Sequence, residues 1–288
     1  MDGMSSLELV DLINLEDRAV SEAVGSQRLA IARAIDLVVD AFRSGGRLIY
    51  VGAGTSGRLG VLDAAEIPPT FGTDPEMVQG IIAGGHEALV RSQEGAEDSP
   101  EDGGAEIDRL AVGPKDFVVG IATSGTTPFV HGALARARER GAHTGFLLCT
   151  LPTPDLLKTH DVVIAPLVGP EVVTGSTRMK AGTATKMVLN TITTGAMVMT
   201  GKVFGNLMVD LQVKCEKLQD RGERILMTTL DVDRARATEL LKAAGGGVKT
   251  ALVMERRGVG AAEAGRLLDE AGGALARVIG NLDEDSQA

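Results

Sequence analysis

The sequence is poor in aromatic residues. Its 288 residues include no tryptophan, one tyrosine and six phenylalanines. Any core must therefore be packed from aliphatic side chains, for which a hydrophobic content of 44% is sufficient. Cysteine is also scarce. With only Cys149 and Cys215, a disulfide framework is excluded. Both lie in apolar or helical patterns, so buried free thiols in a reducing compartment are expected. The four histidines are scattered and no CxxC is present, so no metal and no metal ligands are expected. Surplus positive charge is missing too. A net charge of −10 argues against nucleic-acid binding through a basic surface, and an anionic ligand would need a local site. There is no leading signal-peptide pattern and no apolar run long enough to span a bilayer. A soluble, cytoplasmic protein with no membrane partner is expected.

The stretch Arg47 to Gly60, RLIYVGAGTSGRLG, carries the strongest local signal. The strand formers Leu48 to Val51 break into Gly52-Ala53-Gly54-Thr55-Ser56-Gly57 and then continue into an apolar helical pattern. A strand that ends in a Gly/Ser/Thr turn and feeds a helix can hold an anion. The glycines allow close backbone approach, and the helix start supplies unpaired N–H groups and a positive dipole end. The run is neither a dinucleotide fingerprint nor a Walker loop. It has hydroxyls at the last two variable positions, no acidic residue at the later spacing, and no following Gly-Lys-Ser/Thr. Its bland alternative is a tight βα turn with no ligand. A second run, FVVGIA over Phe117 to Ala122, ends similarly in Thr123-Ser124-Gly125-Thr126-Thr127-Pro128. Pro128 suits a first helical turn. Two such turns can converge at the carboxyl edge of one parallel sheet, where open α/β sheets bind ligands.

In chain order, Ser5 to Glu8 has capping-box spacing, and a helical pattern runs from about Gln27 to Phe42. The helix after the first loop is expected to stop near Glu66, because Pro68-Pro69 cannot continue it. Further strands are expected at Met77–Ala83, Phe117–Ala122, His143–Cys149 and Asp161–Ala165, with helices at Glu87–Gln93 and Phe129–Arg140. The acidic run Glu94 to Gly104 reads as a loop. Strands separated by helices give an α/β class, a doubly wound and mainly parallel sheet. Met179 to Met199 is an apolar helix rich in small residues, expected to be buried in the core or a subunit interface. From Asp231 three short helices are expected, Val232–Ala244, Val248–Glu255 and Ala261–Val278, with a frayed tail over Asn281 to Ala288. The expected organisation is a large domain over residues 1–226 and a small helical domain over 227–288.

The long motifs VGAGTSGRLGVLDAAEIPPTFG (51–72), EGAEDS (94–99), the Ser124-Gly125 turn, EVVTGSTRMKAGTATKMVLN (171–190) and GKVFGNLMVD (201–210) resemble the N-acetylmuramic acid 6-phosphate etherases. The resemblance covers nearly the whole chain. It implies the sugar isomerase (SIS) fold with a small helical C-terminal domain. It also implies cleavage of a lactyl ether to N-acetylglucosamine 6-phosphate and lactate in bacterial cell-wall recycling, by a homodimer without metal or organic cofactor. By the same resemblance Glu66 is the proton donor and Glu97 the second catalytic carboxylate, the base. Ether cleavage by elimination needs such a pair, one group to protonate the leaving oxygen and one to take the C2 proton. Ala64-Ala65 and Ile67-Pro68 flank Glu66, an apolar setting that suits a donor. The expected phosphate and substrate contacts are Gly54, Thr55, Ser56, Gly57, Ser124, Gly125, Thr126, Thr127, Ser176 and Lys180.

The family often has Arg where this chain has Thr126, so one cation is missing near the ligand. Arg178, Lys180 and Lys186 are other cations of the region, each equally readable as a surface ion pair. Ten residues separate Ser56 from Glu66, about 15 Å along a continuous helix. That exceeds the reach from a sugar's phosphate to its C3. Either the helix ends early or Glu66 serves a ligand held mainly by another subunit. Two rival functions share the fold, an aldose–ketose phosphosugar isomerase and a non-catalytic phosphosugar sensor. A sensor needs the two serine turns but neither glutamate.

Overall fold

The computed structural model describes residues 1–211 and 216–282. Cys215 and the end of the tail expected to fray, residues 283–288, lie outside them. Two helices, α1 (Ser6–Ser26) and α2 (Arg28–Arg43), precede the sheet. The capping box forms as expected, with Ser5 accepting from the Glu8 N–H and the Glu8 carboxylate accepting from the Ser5 N–H. The strands are β1 (Leu48–Gly52), β2 (Val78–Ile82), β3 (Phe117–Ile121), β4 (His143–Leu147) and β5 (Val162–Ile164). Between and after them run α3 (Gly54–Phe71), α4 (Glu87–Val90), α5 (Pro100–Arg109), α6 (Pro128–Glu139), α7 (Pro154–Thr159) and α8 (Lys180–Met199). The remaining helices are α9 (Glu216–Leu230), α10 (Arg234–Ala243), α11 (Val248–Arg257), α12 (Ala261–Glu270) and α13 (Leu275–Ile279).

All strand pairs are parallel, in the order β2-β1-β3-β4-β5. The chain leaves β1 toward one edge and β3 toward the other. The strand order therefore reverses between β1 and β3, whose ends lie side by side with Gly52 opposite Ile121. At such a switch point the two following loops diverge and leave a crevice. Ile49, Val51, Val118 and Phe146 form one core with Ile107 of α5 and Val130 and Leu134 of α6. On the other face of β1, Tyr50 is fully buried and its hydroxyl donates to Asp63 of α3 at 3.1 Å. At the opposite end of the strands, Arg47 holds Asp116 with two side-chain hydrogen bonds of 3.1 and 2.7 Å. Burial works against that carboxylate, but Arg47 and the Gly113 N–H outweigh it and hold Asp116 below the usual range.

The chain divides into two compact units, residues 1–65 with 75–194 and residues 66–74 with 195–288. The first contains the sheet. The second is helical, with a core that includes Leu226, Leu240, Val248, Leu252, Ala264 and Leu275. Lys249 is placed deep within it, 7% exposed. The ammonium donates to the carbonyls of Gly201 and Gly273 and pairs with Asp210, which satisfies all three donors.

Several local expectations are corrected. The helix after the first loop does not stop near Glu66. α3 runs through Pro68 and Pro69 to Phe71. Each proline removes one hydrogen bond, yet Ile67 and Phe71, 4% and 6% exposed, anchor the last turn, so burial overrides the propensity. The acidic run is only half a loop. Ser99 accepts from the Asp102 N–H, Pro100 fills the first turn, and Glu101 and Asp102 favour the positive helix end, so α5 starts inside it. Short α7 and the longer α9 were not anticipated. The three helices expected from Asp231 become four, because Gly272 and Gly273, with φ of 64° and 76°, split the last one into α12 and α13.

Candidate functional site

The first loop is shaped by close approach. A Cβ on Gly57 would lie 2.7 Å from the Gly52 carbonyl oxygen and 2.7 Å from the Ile82 side chain. Only glycine lets the first turn of α3 sit directly on the end of β1. That turn presents Gly54, Thr55 and Ser56. The second loop is shaped by hydrogen bonds. Gly125 takes φ of 78° and its N–H donates to the Ala122 carbonyl. The Ser124 hydroxyl accepts from the Thr126 N–H at 3.3 Å and pairs with the Thr126 hydroxyl at 2.9 Å. Thr150 donates to the Ser124 carbonyl, and His131 Nε2 lies 2.8 Å from the Gly125 carbonyl. Because a carbonyl only accepts, His131 carries its proton on Nε2.

Between the loops opens a cleft of about 360 Å³. Gly54, Thr55, Ser56, Ser124, Thr126, Thr127 and Glu97 line it, with Thr177 closing one side. Glu97 is exposed on the loop before α5, and its carbonyl accepts from the Phe129 N–H in the first turn of α6. The acidic loop is thereby tied to the helix that follows the second serine loop. The cleft thus joins hydroxyls, the N–H groups of a helix start and the carboxylates of Glu97 and Asp98. This is a donor set for a phosphate with a proton acceptor beside it.

The other expected site residues lie elsewhere. Gly57 and Gly125 are buried and shape the loops without lining the cleft. Ser176 is half-buried in the segment before α8, its N–H donating to the Val173 carbonyl. Lys180 is 3% exposed and pairs at 2.6 Å with Glu16 of α1. A buried ammonium needs such a counter-ion, and the pair occupies the cation. Glu171 accepts from the N–H groups of Lys180 and Ala181 and so caps α8. Glu66 is exposed on α3, not enclosed by its apolar sequence neighbours. Successive helical residues point about 100° apart, so Ile67 is buried while Glu66 faces outward.

Asp63 was not anticipated from sequence. It is 5% exposed, and burial raises its pKa. Besides the Tyr50 hydroxyl, it accepts from the Asn190 amide at 3.1 Å, and the Thr193 hydroxyl stands 3.2 Å away. This network fixes α3 against β1 and α8. The only signal was a lone aspartate in an apolar helix. Cys149 is half-buried, with its Sγ 3.8 Å from the Ala181 carbonyl, and burial pushes its thiol up to about 11. Among the described residues no group of three or more His, Cys, Asp or Glu is placed to hold a metal ion. No helix there is long and apolar enough to cross a membrane.

The glucokinase regulatory protein N-terminal SIS domain family matches residues 30–138. The phosphoheptose isomerase of Neisseria gonorrhoeae is 19% identical, with a TM-score of 0.50, over 65% of this chain and 99% of that one. That likeness concerns the fold. The N-acetylmuramic acid 6-phosphate etherase of Gloeobacter violaceus is 55% identical over 96% of this chain and 90% of its own length. That of Rhodopirellula baltica is 50% identical over 99% and 94%. Identity of this order along both full lengths, together with the SIS-type sheet, shows that the chain belongs to the N-acetylmuramic acid 6-phosphate etherase family.

Proposed function

We propose that the chain cleaves the D-lactyl ether of N-acetylmuramic acid 6-phosphate, giving N-acetylglucosamine 6-phosphate and lactate. The observation that carries the site assignment is the cleft in which both serine loops and Glu97 meet. The 6-phosphate lies between the loops and takes hydrogen bonds from Ser56, Ser124, Thr126, Thr127 and the N–H groups of Gly54 and Thr55. Glu97 takes the C2 proton, which the C1 aldehyde of the open sugar acidifies. The C3–O bond then breaks, and Glu66 protonates the departing lactate oxygen. Water adds its hydroxyl at C3 after Glu66 takes a proton from it, and Glu97 returns a proton to C2. Both carboxyls end as they began.

α3 is continuous, so Glu66 stands about 15 Å from Ser56 along its axis. This length supports a homodimer in which Glu66 completes the partner's cleft. The exposed apolar residues Val198 and Met199 at the end of α8 support a further contact surface on that helix. The setting is cytoplasmic, in cell-wall recycling, and no cofactor is required.

Free lactate released from N-acetylmuramic acid 6-phosphate by the purified protein tests the activity, and no release refutes it. Glu66→Gln should abolish lactate release while still exchanging the C2 proton with deuterium oxide. Glu97→Gln should lose both. Mixing the two inactive variants tests the shared site. Random pairing in a two-fold dimer should restore about a quarter of the wild-type rate, whereas sites built from one chain would restore none.

A further inference from the structure

We propose that a second pocket beside Glu97 is the subsite for the 2-acetamido group of the phosphosugar. The inference rests on the reading of Glu97 as the base at C2. The pocket encloses about 210 Å³ and shares Ala53, Gly54 and Glu97 with the main cleft, so Glu97 stands between the two. A base in contact with the C2 proton brings the other substituents of C2 next to itself. The nitrogen-bearing substituent therefore lies at the mouth of this pocket.

The lining fits a small neutral acyl group. Ala53, Ala83, Ala88 and Ala96 contribute methyl walls, and Ala83 and Ala88 are 4% and 3% exposed. Ser92 and Gln93 add polar groups that can pair with an amide N–H and C=O. Four heavy atoms of an acetamido group would displace about two or three waters, at about 30 Å³ each. Charge separates this group from the lactyl substituent on C3. Glu94 and Glu97 face the pocket with a single cation, Arg58, whose Nε already donates to the Leu89 carbonyl at 3.0 Å. Two carboxylates against one engaged guanidinium disfavour the lactyl carboxylate and admit a neutral amide. The pocket lies on the β2 side of the first loop and the second serine loop on the β3 side, so phosphate and acyl group have separate walls.

Calorimetric titration of the wild-type protein with phosphosugars tests this. N-acetylglucosamine 6-phosphate should bind at least about tenfold tighter than glucose 6-phosphate, from one buried methyl and one amide hydrogen bond. N-hexanoylglucosamine 6-phosphate should bind at least about tenfold more weakly than the N-acetyl compound, because its four added methylenes would strip water from the polar Ser92, Gln93 and Glu94 side of the pocket. Ala88→Leu, or Ala96→Val if the first variant fails to fold, should erase the acetamido preference and leave glucose 6-phosphate binding within about twofold. Equal binding of the N-acetyl and N-hexanoyl compounds would place the group in solvent and overturn the proposal. It would also be overturned if the filled-pocket variants kept the full preference for N-acetylglucosamine 6-phosphate over glucose 6-phosphate. Failure of the wild-type protein to bind any of the three would refute the phosphosugar reading itself, a separate result.

Discussion

The two serine loops end neighbouring strands and face the same cleft, but they are held in different ways. The first is fixed by steric contact, with the turn of α3 resting on Gly52 where only glycine fits. The second is fixed by a web of side-chain hydrogen bonds from Thr126, Thr150 and His131. A loop held by contact tolerates no added atom. A loop held by hydrogen bonds can loosen by degrees as each one is removed.

The largest effect should come from Gly57→Val. The added carbons have no space between the Gly52 carbonyl and Ile82, so the start of α3 must lift from the sheet. Urea unfolding should show a loss of about 3 kcal/mol, and phosphosugar binding should be lost with it. A variant of wild-type stability would show that the first loop is not held by contact. Next comes Ser56→Ala, which leaves the loop backbone in place and removes one donor to the phosphate. Substrate binding should weaken ten- to a hundredfold, roughly one charge-assisted hydrogen bond. Unchanged kinetics in both Ser56→Ala and Ser124→Ala would remove the phosphate assignment.

His131→Ala probes the second loop from outside the cleft. KM should rise about three- to tenfold with kcat nearly unchanged, and His131→Gln, which keeps a donor toward the Gly125 carbonyl, should recover most of it. A fall in kcat alone would mean that His131 does more than hold the turn. The smallest effect concerns pH. Behind His131 the Phe146 ring stands 5.4 Å away, and the His160 ring lies 5.5 Å beyond that. Burial, then the Arg138 and His131 charges, pull His160 down to about 4. The folded value is below the unfolded one. The stability tied to the neutral ring is therefore present above the unfolded pKa near 6.5 and is lost as pH falls toward 4. His160→Gln should lose less stability than wild type between about pH 7 and pH 4.5 in matched urea titrations. Identical losses would detach His160 from this pH dependence.

Much was legible in the sequence because the signals are local. A five-residue apolar run followed by glycines and hydroxyls defines a βα turn wherever it occurs; both serine loops follow from that pattern, and the five strands from their short apolar runs. The family, too, is carried by contiguous motifs around residues 51–72 and 171–190. Glu97 lines the cleft between both loops, tied to α6 through a backbone bond that no local pattern encodes.

What the tertiary structure decided are the matters that depend on distant partners. Pro68 and Pro69 remain helical because the buried Ile67 and Phe71 offset two lost hydrogen bonds. Lys180 pairs with Glu16, 164 positions away in sequence, and is not left free for a ligand. Asp63 becomes a buried clamp through Asn190 and Thr193, at separations of 127 and 130 positions. Local sequence fixes propensity, caps and turn chemistry within a few residues. Which charge is neutralised, and which helix outlasts its breakers, depends on desolvation and pairing that exist only once the chain has closed on itself.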